Sequence, residues 1–368
     1  MIGPAHMIVP DEFNGSWFAA YLANRSGHTV DVVEFTRFTR GTSRQTWFAR
    51  YRDDNGEHQL TLRADHPAGA GDPTPLDREY ECYRALGKTD IPHARALFWE
   101  SDPAKTPRPF YTRELVDGSW QVPGFGTDSD EAKRIQLEAS REHMRALAKV
   151  HDADWRAAGF GELFGAPADE AQAAPFYLEL LMRRFDEFGG EPQPLMHEAH
   201  AFLRANAPSA ARISLCKGTN GLGEEVFRDG QIVAMSDWEE SIVGDPASDL
   251  AMVQGFTEAI EIEGETVWDH EMAVDYYNTQ ARVPVSMDNV RYYQLARLFG
   301  RMVMFAFTTN VVRRSPNATV RQGWTTTEPQ HVVRRVMAHA LGLGPPADPQ
   351  LFEEMNESID MFDEGEEA

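Results

Sequence analysis

The chain has 368 residues, 42% of them hydrophobic, and a formal net charge of −23, with a mean hydropathy of −0.47. This size allows one large domain or two lobes, and the hydropathy fits a soluble globular protein. The negative charge repels a phosphate backbone, so nucleic acid is not the expected partner. No apolar run approaches the roughly 20 residues of a membrane span. The two cysteines indicate neither a disulfide framework nor a zinc site, and without a secretory signal pattern we expect a cytoplasmic protein.

The first third of the chain predicts a small β-rich lobe. Runs of β-branched and aromatic residues are typical of strands, and Asp53-Asp54-Asn55-Gly56 predicts a hairpin turn between two of them. This order of strands with one helix favours a mainly antiparallel lobe. The predicted elements are a helix within 10–25, strands at 30–35, 46–51 and 59–63, a helix over 76–86 and a strand over 109–118.

The remainder of the chain reads as mainly helical. Apolar residues recur at helical spacing in 131–151, 176–185, 191–205 and 292–307. A hairpin turn at Asp229-Gly230 joins two short strands, and from Asp249 onward we expect helices. A boundary near residue 118 therefore separates an N-terminal lobe of residues 1–117 from a helical lobe of residues 118–350. Residues 351–368 form a strongly acidic tail.

Residues 213–252 hold the most specific motif. Asp237 follows the apolar strand Ile232–Met235 and precedes a turn, a position where an aspartate can meet a Mg²⁺ ion that bridges nucleotide phosphates. Seven residues later the chain reads Gly-Asp-Pro-Ala-Ser-Asp-Leu over 244–250. Upstream, residues 218–225 read Gly-Thr-Asn-Gly-Leu-Gly-Glu-Glu.

Together with Arg78-Glu79-Tyr80 and the helix end at 146–155, these motifs resemble the aminoglycoside phosphotransferase and choline kinase-like family. The resemblance implies an α+β, protein-kinase-like bilobal fold with a small antiparallel β-rich N-lobe that contains one key helix. The C-lobe is then larger and mainly α-helical, and ATP lies in the cleft. Where this family carries H-G-D-x-x-x-x-N, Asn220 takes the aspartate position and Glu225 the asparagine position. Glu224 is the alternative to Glu225, because the length of the following hairpin varies.

The resemblance also implies a phosphate-binding face on the N-lobe. Gly41, Thr42 and Ser43 lie between two strands, where a phosphate-covering loop is expected, although one glycine in a hairpin is also typical of an ordinary turn. Arg63 stands where a kinase has its phosphate-pairing lysine, and is otherwise an exposed strand-end arginine. Glu79 on the next helix can pair with Arg63 through a bidentate contact.

Two further segments take supporting roles by the same resemblance. The backbone of the hinge, including Glu114 and Val116, can read an adenine edge. Asp249 is expected to cap a helix and to tether the catalytic loop by accepting backbone hydrogen bonds. His151 is expected to support that loop rather than to perform chemistry.

The altered loop admits two interpretations. Asn220 cannot accept a proton, and general-base help is typically worth about 10²–10⁴ in rate, so its presence favours a pseudokinase. Against this, Glu225 and Asp237 keep two negative charges, and phosphoryl transfer depends mainly on positioning and charge neutralisation. We therefore expect Asp237 and Glu225 to bind Mg²⁺ and Asn220 to orient the acceptor. Glu224 or a metal-bound group then takes the proton.

Lys217 begins a glycine-rich stretch that holds Gly218, Gly221 and Gly223. Such a stretch lets backbone N–H groups approach an anion, and Lys217 could neutralise a transferring phosphoryl group. A flexible loop explains the glycines equally well.

The function we expect is ATP- and Mg²⁺-dependent transfer of a phosphoryl group to a small-molecule hydroxyl, by a monomer or homodimer with no membrane partner. The alternative is a nucleotide-binding pseudokinase with a regulatory or partner-binding role. Transfer of a nucleotidyl group is a third possibility, and the sequence does not separate ATP from GTP.

Overall fold

The computed structural model describes residues 9–38, 44–69, 74–188, 193–351 and 353. The predicted phosphate-covering loop, Gly41, Thr42 and Ser43, lies outside the described residues. The same holds for the acidic tail beyond residue 353.

The N-terminal elements form one helix-covered antiparallel sheet. They are α1 (Gly15–Ser26), β1 (Asp31–Phe38), β2 (Arg44–Asp53), β3 (Gly56–Asp65), α2 (Leu76–Leu86), β4 (Ala96–Glu100) and β5 (Phe110–Glu114). The five strands are ordered β1-β2-β3-β5-β4. The predicted hairpin turn closes β2 onto β3, with Asp53 opposite Gly56.

Helix α1 covers the outer face of this sheet. Asn14 caps it by accepting a 2.9 Å hydrogen bond from the Trp17 N–H, and Gly27 ends it in the left-handed region. Its buried aromatic residues pack on sheet residues that include Leu60 and Phe110. Each large apolar side chain buried here contributes about 1.5–3 kcal/mol, so the sheet has a small core of its own.

The C-terminal elements are mainly helices with short hairpins between them. They are α3 (Asp130–Asp152), α4 (Trp155–Ala158), α5 (Phe160–Phe164), α6 (Ala173–Glu187), α7 (Pro194–Ala205), β6 (Ser214–Cys216), β7 (Glu225–Arg228), β8 (Gln231–Met235), β9 (Ile242–Gly244), α8 (Ala247–Leu250), β10 (Ile260–Ile262), β11 (Glu265–Trp268), α9 (His270–Gln280), α10 (Met287–Arg314), α11 (Val320–Thr325) and α12 (Glu328–Ala340). The predicted helices and the hairpin at Asp229-Gly230 are present. The expectation of helix alone after Asp249 is wrong, because Glu263 and Gly264, both at positive φ, turn β10 into β11.

Helix α10 is the centre of the C-lobe and packs against α6, α7, α8, α11 and α12. Of the helices in the described ranges, α10 is the one that is long and apolar enough to span a membrane, but that test is also passed by core helices. Arg297 is buried on it, and it lies inside the lobe. The same core includes Leu76, Tyr83 and Leu86 of α2, so α2 joins the two lobes. This is the predicted α+β bilobal architecture.

Candidate active site between the lobes

A cavity of about 1370 Å³ lies between the inner face of the sheet and the loops of the C-lobe. Arg44 and Arg63 line it from the sheet, Glu224 and Asp237 from the C-lobe loops, and Arg301 from α10. Six residues singled out from the sequence therefore border one space: Arg63, Glu114, Val116, Glu224, Glu225 and Asp237. Glu79, Lys217 and Asn220 are not among the residues that line it.

Arg63 and Glu79 form a buried ion pair in the N-lobe wall. Arg63 lies on β3, opposite Tyr111 of β5, and its Nε is 3.3 Å from Oε1 of Glu79 on α2. The Tyr111 hydroxyl donates a 2.8 Å hydrogen bond to the same oxygen. Burial alone would raise the pKa of Glu79, but Arg63 and Arg44 hold it below its usual range. The predicted Arg63–Glu79 pairing is therefore present, but as a close ion pair rather than as bidentate hydrogen bonds. Arg63 is buried rather than an exposed strand-end residue.

Arg44 is a second arginine that pairs with Glu79, and it was not predicted from the sequence. Its Nε lies 3.4 Å from Oε2 of Glu79, and its guanidinium also contacts the Asp65 carboxylate and the Thr74 carbonyl. The predicted hairpin could have indicated one of these contacts. Pairing Asp53 with Gly56 sets a register in which Arg44 lies opposite Asp65. Glu79 is thus held between two arginines.

Asp237 faces this wall from the opposite lobe. It follows β8 with φ of 62°, a left-handed conformation that is uncommon outside glycine and is often found at functional sites. Its Oδ1 lies 3.9 Å from Nη2 of Arg63, and its carbonyl accepts a 2.9 Å hydrogen bond from the Thr219 hydroxyl. The Asp237 carboxylate is thereby directed into the cavity beside Arg63.

Asp249 fixes the start of the altered loop. Its carboxylate accepts hydrogen bonds from the N–H groups of Lys217 (2.7 Å) and Gly218 (2.9 Å), and lies 3.0 Å from Nε2 of His151. Burial would raise the pKa of Asp249, but His151 and these N–H groups lower it. The expected tether is present. The expected helix cap is wrong, since Pro246 takes the cap position and Asp249 lies in the first turn of α8.

Gly218 stands where the family motif has histidine, and the structure leaves no room for a side chain there. Its φ is 91°, and a Cβ would come within 2.4 Å of the Glu240 carbonyl oxygen. Arg297 donates a 2.6 Å hydrogen bond to the Gly218 carbonyl. The loop backbone is therefore pressed against Glu240 and α10.

Lys217 is directed into the loop rather than into the cavity. Its buried Nζ donates a 2.7 Å hydrogen bond to Oε2 of Glu224 and also contacts the Thr219 carbonyl. Burial would lower the pKa of Lys217, but Glu224, Glu225 and Asp237 hold it above its usual range. The predicted contact of Lys217 with a transferring phosphoryl group is not what this arrangement offers, because the acidic groups attract the ammonium inward. The Gly218 N–H already donates its hydrogen bond to Asp249 and is therefore not available to bind an anion.

Glu224 lines the cavity with its carboxylate held by Lys217. Burial raises the pKa of Glu224 to about 7, with Lys217 opposing the rise and Asp237 adding to it. A carboxylate whose pKa lies near neutrality is suited to accept a proton during catalysis.

Glu225 and Asn220 belong to the same loop as Glu224, and their side chains are buried. Among the described residues, neither oxygen of the Glu225 carboxylate and neither polar atom of the Asn220 amide has a hydrogen bond. Burial raises the pKa of Glu225 to about 8, against the opposing effect of Lys217. Orphaned buried groups are rare, and each costs about 1–3 kcal/mol. Carboxylate and amide oxygens are ligands that Mg²⁺ accepts, so these orphaned atoms fit a divalent cation.

The C-lobe wall contains an arginine pair that the sequence analysis also missed. Glu240 accepts hydrogen bonds from Arg297 (2.8 Å) and Arg301 (3.2 Å), which are four residues apart on α10. Burial would raise the pKa of Glu240, but the two arginines lower it to about 2. The sequence could have indicated this pair, because Arg297 and Arg301 are one turn apart on a predicted core helix and such residues lie on the same face.

The hinge closes the remaining side of the cavity. Glu114 and Val116 both line it. The Glu114 N–H donates a 2.9 Å hydrogen bond to the Arg95 carbonyl, so it is already used within the sheet. Contact with an adenine edge is left to the Glu114 carbonyl and the Val116 backbone, and stays a prediction.

Residues 34–283 match the family model described as the phosphotransferase enzyme family. The chain belongs to this family. It is 25% identical over 240 residues to acyl-CoA dehydrogenase family member 10 of Mus musculus, covering 63% of this chain and 21% of that protein. It is 24% identical over 260 residues to family member 11 of Homo sapiens, covering 67% and 31%. The chain thus spans less than a third of the length of these relatives.

Solved structures of phosphotransferases share the fold. A putative aminoglycoside phosphotransferase from Ralstonia eutropha superposes with a TM-score of 0.62 at 18% identity, covering 90% of this chain and 99% of that one. A macrolide 2′-phosphotransferase from Brachybacterium faecium gives 0.52 at 19% identity, covering 89% and 98%. The protein-kinase-like fold and the family membership predicted from the sequence are both confirmed.

Proposed function

We propose that the chain is an ATP- and Mg²⁺-dependent phosphotransferase that acts on a hydroxyl group of a small molecule. The observation that carries this proposal is the convergence of Arg63, Glu224, Glu225 and Asp237 on one cavity between the lobes. A structural relative with a TM-score of 0.54 was crystallised in a ternary complex with AMP-PNP and hygromycin B, which supports a nucleotide and an acceptor sharing such a cavity.

The residues around the cavity would bind different parts of the nucleotide and its metal ion. Arg63, held by Glu79, would contact nucleotide phosphates, while the hinge at Glu114 and Val116 would meet the base. Asp237 and Glu225 would hold Mg²⁺. When bound, this ion neutralises charge on the phosphate oxygens.

The acceptor hydroxyl requires a group that takes its proton. Glu224 is the best-placed carboxylate, because it lines the cavity and Lys217 fixes its orientation. Asn220 is 4% exposed and is not among the residues that line the cavity, so it would orient the acceptor after a small rearrangement of the loop. Lys217 would act through Glu224 rather than on the phosphoryl group.

The acceptor itself is constrained by charge. The wall that reaches α10 holds Arg301. Among the described residues the carboxylate that pairs with Arg301 is Glu240, which is also paired with Arg297. At this wall a polycationic acceptor would therefore meet Arg301 and an already paired Glu240 instead of a free carboxylate. We expect an uncharged or anionic acceptor to fit this wall better.

Calorimetric titration with Mg-ATP and Mg-GTP, followed by mass analysis of products from a panel of hydroxyl compounds, tests the proposal. We expect nucleotide binding that weakens about tenfold or more in Arg63→Ala, and a product heavier by one phosphoryl group. Binding of unhydrolysed nucleotide with no product from any acceptor would instead support the pseudokinase alternative, which the asparagine at position 220 favours. A product that carries a nucleotidyl group would support the third possibility.

A further inference from the structure

His143 is a buried histidine close to the candidate metal ligand Glu225. It lies on α3, 82 residues before its neighbour, and both side chains are fully buried. The distance between Nδ1 of His143 and Oε1 of Glu225 is 3.4 Å. No role for this histidine follows from the motifs of the altered loop.

The two side chains are close, but they do not form a hydrogen bond. Within the described part of the chain, both ring nitrogens of His143 and both carboxylate oxygens of Glu225 lack a hydrogen-bond partner. Four orphaned polar atoms in one buried pocket are costly, because each forgoes its interactions with water. A movement of a few tenths of an ångström would bring Nδ1 and Oε1 into ordinary hydrogen-bonding distance.

The ring is held in place by packing. The His143 imidazole stacks on the ring of Phe256, with centroids 4.1 Å apart and planes within 7°. A neutral imidazole offers one donor and one acceptor and adds no positive charge that would repel a cation.

We propose that His143 is a positioning residue that donates a hydrogen bond from Nδ1 to Oε1 of Glu225, leaving Oε2 to ligate a divalent cation. This inference rests on the proposed metal-dependent function. Outer groups of this kind orient metal ligands, and their loss typically costs about 10–100-fold in metal affinity. It also explains how a glutamate can serve at a position where the family motif has asparagine, since the extra carboxylate oxygen requires a partner.

The test measures Mn²⁺ affinity in the presence of AMP-PNP by electron paramagnetic resonance, with thermal unfolding recorded alongside. His143→Phe keeps the stacking on Phe256 and removes Nδ1. We expect it to weaken Mn²⁺ binding by about 10–100-fold. An affinity within twofold of the unmodified protein would overturn the proposal.

Two conservative variants separate positioning from packing. The side-chain nitrogen of asparagine matches Nδ1 of histidine, whereas that of glutamine matches Nε2. His143→Asn should therefore restore much of the lost affinity and His143→Gln should not. Equal loss in all three variants, in step with their melting temperatures, would show a packing role only and would overturn the proposal.

A double-mutant cycle locates the effect on Glu225. In a Glu225→Asn background, His143→Phe should change Mn²⁺ affinity by less than about twofold, because the orphaned carboxylate is gone. The same loss in both backgrounds would overturn the coupling while leaving the proposed function intact. If the unmodified protein binds AMP-PNP but no Mn²⁺ with it, the metal-dependent function fails together with this inference.

Discussion

Two groups of buried polar side chains face each other across the cavity, and they differ in how completely they are paired. In the N-lobe group, Arg44 and Arg63 enclose Glu79, which also accepts a hydrogen bond from Tyr111. In the C-lobe group, Asn220, Glu225 and His143 hold six polar atoms without hydrogen bonds among the described residues. Among the described residues the N-lobe group leaves one such atom, Nε of Arg63, which still lies 3.3 Å from Oε1 of Glu79. The N-lobe charges are therefore paired without a ligand, whereas the polar atoms of the C-lobe group are available to bind one.

The comparison separates stability from ligand binding. A charge network that is already paired contributes to the fold, and its disruption leaves charges buried without compensation. Buried polar groups without hydrogen bonds reduce stability until a ligand binds them. Such destabilising groups are typical of functional sites. Changes in the first group should therefore act on unfolding, and changes near the second on metal binding and turnover.

The largest effect on turnover should come from Asp237→Asn. It removes the half-buried carboxylate that the proposed metal pair directs into the cavity, and we expect kcat to fall on the order of 10³-fold or more. Asp229→Asn is a matched control, because Asp229 also has positive φ, 52°, in the nearby hairpin and is exposed. Asparagine tolerates that conformation, so neither variant should lose its fold. Similar losses in both variants would argue against a special part for Asp237.

Glu79→Ala tests the other side of the comparison. It leaves Arg44 and Arg63 buried without their shared carboxylate, and should cost about 3–5 kcal/mol in the free energy of unfolding. Urea denaturation measures this change. Glu81→Ala on the same helix breaks only the exposed pair with Arg84 and should cost less than about 0.5–1 kcal/mol. A loss of the same small size for Glu79→Ala would mean that the N-lobe group does not stabilise the fold.

Glu240 offers a pH test of the arginine pair on α10. Its folded pKa, about 2, lies below the usual carboxylate value of 4.5. The stability it contributes is therefore present above pH 4.5 and is lost as the pH falls toward 2. By this linkage the contribution at neutral pH is about 3 kcal/mol. The free energy of unfolding, measured across this window, should fall less steeply with decreasing pH in Glu240→Gln than in the unmodified protein. An unchanged slope would contradict the ion pairing.

The sequence predicted elements well where the signals are local. The helix over 76–86 and the hairpin turn at Asp53–Gly56 depend on periodicity and turn residues, and both occur at the expected positions. The hairpin around Glu263-Gly264 was missed because its strands have only three and four residues. At the site, the Arg63–Glu79 contact and the Asp249 tether followed from motif order.

The remaining site features depend on contacts between distant segments. Lys217 is directed inward by its contact with Glu224, while Glu225 and Asp237 help to raise its pKa, and Asp237 joins this group only in the fold. His143 lies on an ordinary helical stretch, and its neighbours Glu225 and Phe256 come from other elements. Spacing along the chain carries no information on such meetings, so these features could not be predicted from the sequence.

The smallest expected effect comes from exchanging the two altered positions, and it tests the orphaned group most directly. Asn220→Asp adds a carboxylate to a loop that already holds Glu224 and Glu225, and should lower turnover by about tenfold through unfavourable burial of charge. Glu225→Asn replaces a carboxylate oxygen at the proposed metal site with a neutral amide oxygen and should also lower turnover. The double variant restores both residues of the family motif and keeps the total charge. It should lose less than the sum of the single losses, with a coupling free energy of about 1–2 kcal/mol. Turnover and Mn²⁺ affinity measured on all four proteins check this expectation. Strict additivity would mean that positions 220 and 225 do not share one site, and the carboxylate at 225 would then not replace the one absent from 220.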